Sequence, residues 1–149
     1  MEAKKGSLIV VGGGINIGPQ TTLSAKAHIE HADIVLTAVT GKIAAKWIDD
    51  LNDNVFSLSQ FYAQGKSRLK TYHQMIDTIC DKVREGLRVC VVLYGHPGVF
   101  AMPAHKAIEK LRAEGYKASM DPGVSAEDCL VADLGIDPGA TGCQAFETT

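Results

Sequence analysis

The run Val89-Cys90-Val91-Val92-Leu93, continued by Tyr94-Gly95-His96-Pro97-Gly98-Val99-Phe100, decides how this chain folds. Five consecutive apolar residues are typical of a strand that is buried on both faces, as in a parallel sheet. The glycines and the proline then end the strand in a loop, and open parallel sheets bind ligands outside the carboxyl ends of their strands. We therefore expect the chemistry at this loop, where an aromatic and a polar side chain are available. An ordinary strand-to-helix turn is the alternative.

Strands and helices alternate on both sides of this central strand. The patterns predict strands over residues 7–11, 34–39, 55–58, 89–93 and 117–120, and helices over 22–31, 41–51, 67–85, 103–114 and 126–134. Gly86 and Gly115 stand where helix C-termini are expected. This order predicts an α/β fold, a parallel sheet of about five strands with helices on both faces. Residues 144–149 look like the entry to a further strand.

Composition and charge limit the possible partners. A chain of 149 residues with 46% hydrophobic content fits one domain with a single core. The net charge of -2 and the lack of a basic run argue against nucleic acid or an anionic membrane as the main partner. No apolar segment approaches the roughly 20 residues of a membrane span, and no signal sequence is apparent, so we expect a cytoplasmic protein. The scattered cysteines form no CxxC pair, and no metal site is expected.

The first strand ends in a glycine cluster, Gly12, Gly13 and Gly14. A dinucleotide-binding fingerprint starting at Gly12 would require glycine at position 17, which is Ile17. The acidic residue that should follow the second strand, near Val39, is also missing. Binding of NAD is therefore disfavoured. A turn that serves an adenosine-bearing ligand and a tight turn of purely structural use both stay open.

Tyr62, Arg68 and Tyr72 form a second candidate constellation. Arg68 and Tyr72 are four residues apart and share one helix face, and Tyr62 lies in the loop that leads into this helix. A guanidinium beside a phenol favours the charged form, which predicts a lowered tyrosine pKa and a possible general base. The alternative is structural, because Tyr72 also fits the apolar stripe of its helix.

Three runs of sequence resemble a known family. The glycine turn, the loop after Leu93 and the run Asp121-Pro122-Gly123-Val124-Ser125-Ala126 occur in the order used by the tetrapyrrole methylase superfamily of S-adenosylmethionine-dependent methyltransferases. Within it the chain is most similar to the borosin backbone α-N-methyltransferases. The segments 94–100, 122–128 and 132–138 and the Tyr62/Arg68/Tyr72 spacing carry that similarity, which extends over nearly the whole chain from Ser7.

The resemblance implies roles for individual residues. Arg68 and Tyr72 would be catalytic, Tyr62 would assist at the substrate amide, and Tyr94 would lie between the catalytic site and the cofactor. The implied contacts of S-adenosylmethionine are Gly12, Gly13, Gly14, Tyr94, His96, Val99, Phe100, Ala101, Ser125 and Ala126. For Ser125 a second interpretation stands beside this one, since it also fits the N-cap of the following helix.

The activity that the resemblance implies is methylation of backbone amide nitrogens in a ribosomal precursor peptide, with S-adenosylhomocysteine as product and no metal. A homodimer is expected. The family's methylase domain continues beyond the strand expected at Gln144, so the chain is expected to be an N-terminal subdomain truncated at its C-terminal end. The alternatives are a methylase of tetrapyrroles or other small molecules, and a non-catalytic module that binds peptide or cofactor.

Overall fold

The computed structural model describes residues 5–146 and contains an alternating series of strands and helices. The strands are β1 (Ser7–Gly12), β2 (Ile34–Ala38), β3 (Val55–Ser57), β4 (Arg88–Leu93) and β5 (Lys117–Met120). The helices are α1 (Leu23–His31), α2 (Lys42–Asp49), α3 (Arg68–Arg84), α4 (Met102–Ala113), α5 (Ala126–Leu134) and α6 (Pro138–Thr141), with a 3-10 helix at Leu58–Phe61.

The five strands form one parallel sheet in the order β3-β2-β4-β1-β5. The central strand β4 pairs with β1 on one side and β2 on the other, so Val91 lies beside both Val10 and Leu36. Its four residues from Val89 to Val92 are at most 1% exposed, as expected for an apolar run covered on both faces. The predicted fold class is confirmed.

Each face of the sheet has its own core. Alternate residues of β1 point to opposite faces, and Leu8 and Val10 join a core with α3 and α4. Val11 joins the other core, which contains Ala25 and Ile29 of α1 and Ile48 of α2. The connections that leave β1 and β4 therefore run over opposite faces. Neighbouring strands whose connections diverge create a crevice at their carboxyl ends, which is where ligands of such sheets bind.

The predicted helix ends are also observed. Gly86 and Gly115 follow α3 and α4 with φ angles of +91° and +87°, a conformation that glycine adopts without steric cost. Ser125 caps α5: its hydroxyl accepts a hydrogen bond from the Asp128 N–H, and the Asp128 carboxylate accepts one from the Ser125 N–H. The capping interpretation of Ser125 is confirmed.

Two local expectations differ from the structure. The expected strand at residues 55–58 ends at Ser57, because Leu58 turns into the 3-10 helix and packs into the core at 1% exposure. Residues 144–146 belong to no strand, and the rest of the strand expected there lies outside the described residues. Within residues 5–146, no helix is long and apolar enough to cross a membrane.

Candidate functional site

A cavity of about 240 Å³ opens at the carboxyl ends of β2 and β4. We call it the tyrosine cavity, because Tyr62, Tyr72 and Tyr94 all line it. Its floor is apolar, and consists of residues such as Leu58, Met75, Ile79, Val91 and Leu93. The loop after β4 contributes Val99, Phe100 and Ala101. Six of the residues singled out from the sequence thus share one hollow.

The Tyr62 and Tyr72 phenols interact directly within this cavity. Partial burial is the main cause of a raised pKa at Tyr62, followed by the charge of Tyr72 and a hydrogen bond between the two side chains. Arg68 acts in the opposite direction, but it is the weakest of these influences. Arg68 thus favours the charged phenolate as expected, but partial burial and the second phenol outweigh it, so the expected net lowering of the pKa is wrong for Tyr62. Tyr62 is consequently suited to donating a hydrogen bond rather than to accepting a proton.

Arg68 is the first residue of α3 and lies one turn before Tyr72. The N-cap residue Ser67 makes no side-chain hydrogen bond to the helix, and the first turn contains no acidic residue. The positive end of the helix dipole and the guanidinium charge therefore reinforce each other beside the two phenols. A negative charge that develops on a substrate oxygen at this position is favoured.

Phe100 has an unusual backbone within the loop that lines the cavity. It is the one non-glycine residue with positive φ, at +51°, among the described residues, and its side chain is 56% exposed. An exposed aromatic ring on a left-handed backbone gains little from burial and costs conformational energy. Such strain is often found where a loop contacts a ligand, so Phe100 marks the mouth of the cavity.

The predicted glycine turn meets two other loops in a crossing that we call the glycine crossing, formed by Gly12, Gly95 and Gly123. A Cβ atom at Gly12 would lie 2.2 Å from the Gly95 oxygen, and one at Gly123 would lie 3.1 Å from the Gly12 Cα. Gly14 and Gly95 also form a backbone bridge, with N···O distances of 3.3 and 3.0 Å. The glycines thus serve close packing between loops. Whether Gly13 and its neighbours also contact a ligand stays a prediction.

Three further predicted cofactor residues, His96, Ser125 and Ala126, lie towards the glycine crossing. They do not line the tyrosine cavity. The Nδ1 atom of His96 accepts a hydrogen bond from the Gly98 N–H at 3.0 Å, which turns the loop back on itself. Nearby, hydrogen bonds from the backbone N–H and the hydroxyl of Ser125 hold the pKa of Asp128 below its ordinary value. Ser125, the N-cap residue of α5, is buried, whereas Ala126, the first residue of α5, is exposed. The predicted site residues therefore form two groups, and the loop after β4 contributes residues to both.

Sequence reasoning missed two polar residues that organise the loops. His105 lies 2.8 Å through Nε2 from the Gly98 oxygen and ties α4 to the loop after β4. Lys66 donates hydrogen bonds to the Phe61 oxygen and to the Gln74 side chain, next to Tyr62. Neither belongs to a recognisable motif, and a lone lysine in a polar loop gives no signal in sequence. Among residues 5–146, no three His, Cys, Asp or Glu side chains are grouped as metal ligands.

Comparison with known proteins assigns these features to a family. Residues 7–149 match the profile of the tetrapyrrole (corrin/porphyrin) methylases. A methyltransferase/dendrothelin A cyclic peptide precursor of Dendrothele bispora is 49% identical over 148 residues, which are 99% of this chain and 36% of the relative. The methyltransferase/omphalotin A precursor of Omphalotus olearius is 48% identical over the same shares. The chain thus spans about a third of the length of these curated relatives.

Solved structures show the same fold at lower identity. Uroporphyrin-III-C-methyltransferase from Thermus thermophilus superposes with a TM-score of 0.68 at 20% identity, over 89% of this chain and 54% of that one. The precorrin-6Y methylase from Archaeoglobus fulgidus gives a TM-score of 0.64 at 24% identity, over 89% and 60%. At these identities the likeness concerns the arrangement of strands and helices alone.

Proposed function

Since this chain belongs to the tetrapyrrole methylase family, we propose that it forms the methylase part of an S-adenosylmethionine-dependent enzyme that methylates backbone amide nitrogens of a ribosomal precursor peptide. The curated relatives at 49% and 48% identity, whose names combine methyltransferase and cyclic peptide precursor, support the peptide substrate. The single structural observation that carries the proposal is the tyrosine cavity, where Tyr62, Tyr72 and Tyr94 meet the loop after β4.

The cavity suits part of the methyl donor. At about 240 Å³ it is smaller than the roughly 300–1,000 Å³ of typical small-molecule pockets, so these residues supply one portion of a binding site. Among residues 5–146, no charged side chain lines the cavity, which favours an apolar portion of the ligand. Tyr94, Val99, Phe100 and Ala101 would hold the donor there, and the residues towards the glycine crossing would hold its remainder: Gly12, Gly13, Gly14, His96, Ser125 and Ala126.

An amide nitrogen is a poor nucleophile, because its lone pair is delocalised into the carbonyl group. In our proposal the Tyr72 oxygen, in its deprotonated form, would accept the N–H proton of the peptide amide and release it to water before the next turnover. S-adenosylmethionine supplies, when bound, a methyl group already made electrophilic by its sulfonium, and it leaves as S-adenosylhomocysteine. Tyr62 keeps its proton and donates a hydrogen bond, since its pKa is raised. Arg68 and the start of α3 stabilise the negative charge that develops on the amide oxygen.

Mass spectrometry tests this function. The full-length protein is incubated with S-adenosylmethionine and its candidate precursor peptide, and we expect mass increments of one methyl group on the peptide. Tyr72→Phe should lower the rate by about 100-fold or more, as for loss of a general base, while donor binding measured by calorimetry changes little. A parental rate in Tyr72→Phe would show that Tyr72 is not the base. Increments only on a tetrapyrrole would favour the small-molecule alternative, and binding without transfer would favour a non-catalytic module.

We further propose that residues 1–149 act as one methylase subdomain within a cytoplasmic homodimer. Cys80, Cys90, Cys129 and Cys143 form no disulfide with one another, which is usual in a reducing compartment. Exposed apolar side chains on α5 and after it support association with a further polypeptide surface.

A further inference from the structure

Tyr62 lies in the loop between the 3-10 helix and α3. Hydrogen bonds to both polar atoms of the Phe61–Tyr62 peptide group fix the backbone at this residue. The Tyr62 N–H donates to the Ser59 oxygen at 3.1 Å. The Phe61 oxygen, which belongs to the same peptide group, accepts a hydrogen bond from the Lys66 ammonium. A peptide group is planar, so holding its two ends fixes the orientation from which the Tyr62 side chain starts.

Two side chains converge on that Phe61 oxygen. Lys66 also donates to the Gln74 side chain on α3 and lies 6.0 Å from the centre of the Phe61 ring. Thr71, which is 1% exposed, places its hydroxyl 3.3 Å from the Phe61 oxygen. The loop can turn back to reach α3 because Gly65 has a φ angle of +75°. Lys66 thereby fastens the Tyr62 loop to the helix that carries Tyr72.

The placement of Lys66 is not explained by helix stability. A cation just before the N-terminus of α3 is disfavoured by the helix dipole. Its two hydrogen-bond acceptors are neutral oxygens of a backbone carbonyl and an amide, so the ammonium forms no ion pair through them. It is nonetheless less exposed than its loop neighbours Gly65 and Ser67. What these contacts achieve is the fixed geometry of the loop.

We propose that Lys66 is a positioning residue that holds Tyr62 against Tyr72 in the tyrosine cavity. This inference rests on the proposed methyl transfer for its kinetic consequences, but the geometry itself can be tested without turnover. Freed from Lys66, the Tyr62 side chain would move towards solvent, and the hydrogen bond between the two phenols would weaken.

The test compares Lys66→Met, which keeps the aliphatic stem, with Lys66→Arg, which keeps a cationic donor. Lys70→Met is the control, since Lys70 is exposed two residues into the same helix. In the full-length protein we expect Lys66→Met to lower kcat by about 10- to 100-fold, the scale of a misplaced catalytic group, with the peptide KM changed by less than about threefold. Lys66→Arg should recover part of kcat, and Lys70→Met should match the parent.

A double-mutant cycle that combines Lys66→Met with Tyr62→Phe distinguishes an effect through Tyr62 from a general loss of structure. If Lys66 acts through Tyr62, Lys66→Met should have little further effect in the Tyr62→Phe background. An equal fall of kcat in both backgrounds, or a parental kcat in Lys66→Met, would overturn the proposal. Should Lys66→Met fail to fold, Thr71→Val removes the second contact to the Phe61 oxygen, the Thr71 hydroxyl, and is measured in the same cycle.

Ultraviolet titration of the tyrosines tests the positioning role of Lys66 even if the protein shows no methyl transfer. The Tyr62 signal is obtained as the difference between each variant and its Tyr62→Phe partner. Lys66→Met should bring the raised pKa of Tyr62 back towards the ordinary value of about 10, because the phenol gains contact with water. An unchanged Tyr62 titration would refute the positioning role. Absence of methyl transfer in the parent would instead refute the proposed function.

Discussion

At the scale of single residues, Tyr62 shows why chemistry cannot be assigned from spacing alone. The sequence places Arg68 near two tyrosines, and a nearby cation favours a phenolate. The structure adds burial and a second phenol, and both raise the pKa of Tyr62. In the proposed reaction the two tyrosines therefore have different roles: Tyr62 retains its proton and donates a hydrogen bond, and Tyr72 is the proposed proton acceptor. Sequence spacing indicates which residues can approach one another, but it does not indicate how far each side chain is buried.

Phe100 has a left-handed backbone and also lines the tyrosine cavity, so its substitution provides a prediction. Asparagine tolerates a left-handed backbone better than phenylalanine, and the ring is 56% exposed. We expect Phe100→Asn to leave the free energy of unfolding unchanged or to raise it by up to about 1 kcal/mol. Affinity for S-adenosylmethionine should fall by about tenfold, because the ring lines the cavity.

Urea unfolding and calorimetric titration measure these two effects. Phe146→Asn is the control, since Phe146 is 77% exposed and lies outside the cavity lining. It should leave donor affinity unchanged. A Phe100→Asn protein with parental affinity would show that the ring takes no part in binding, and a loss of several kcal/mol in stability would show that it serves the core.

At the scale of elements, the predicted strands and helices agree with the structure wherever a hydrophobic period extends over several residues. The central strand and α3 are examples, because a repeating pattern encodes which face is buried. The single 3-10 turn after Ser57 is too short to carry a period. Strand order was not deducible, and neither was the separation of His96 from the tyrosine cavity. His96 instead accepts a hydrogen bond from the Gly98 N–H within the loop, a contact that no sequence pattern indicates.

The glycine crossing provides a prediction about how elements pack. A methyl group at Gly12 would lie 2.2 Å from a backbone oxygen, which cannot rotate away as a side chain could. We expect Gly12→Ala to lower the free energy of unfolding by about 3 kcal/mol, within the range for overpacked cores. Gly115→Ala is the matched control: its Cβ would meet open space, and only its φ of +87° is strained, for about 1 kcal/mol. Equal losses in the two variants would mean that the loops can separate without cost.

The capping box of α5 predicts a dependence of stability on pH. Hydrogen bonds from the backbone N–H and then the hydroxyl of Ser125 hold the pKa of Asp128 below its ordinary value. This contribution is present above the unfolded-state pKa of about 3.9 and is lost as pH falls through the lower, folded-state pKa. Asp128→Asn should therefore lose less stability than the parent as the pH falls below about 4. Urea unfolding at several pH values measures this, with Asp133→Asn of the same helix as control. If the free energy of unfolding changed with pH in the same way in the parent and in Asp128→Asn, the prediction would be contradicted.

At the scale of the whole molecule, the apolar surface is unevenly distributed. No residue of α5 is buried, although its N-cap residue Ser125 is, and Leu130, Leu134 and Ile136 are more than half exposed. They line a shallow hollow of about 150 Å³ together with Val131 and Pro138. Contiguous apolar surface of this kind is typical of a face that is covered by another polypeptide surface. The crevice at the sheet's carboxyl edge and this face are separate features, so binding and association can be perturbed independently.

This independence leads to a prediction for Leu134→Glu, which introduces a charge on the exposed face of α5 without touching either core. The parental 149-residue chain should self-associate at micromolar concentration, and Leu134→Glu should shift it towards monomer, because burying a carboxylate in an apolar contact is unfavourable. Light scattering coupled to size-exclusion chromatography measures the mass. Leu23→Glu is the control, since Leu23 is 86% exposed at the start of α1 and does not line the α5 hollow. If Leu23→Glu and Leu134→Glu shift the mass equally, general charge rather than the α5 face governs association. If neither shifts an associated parent, the contact lies elsewhere on the molecule.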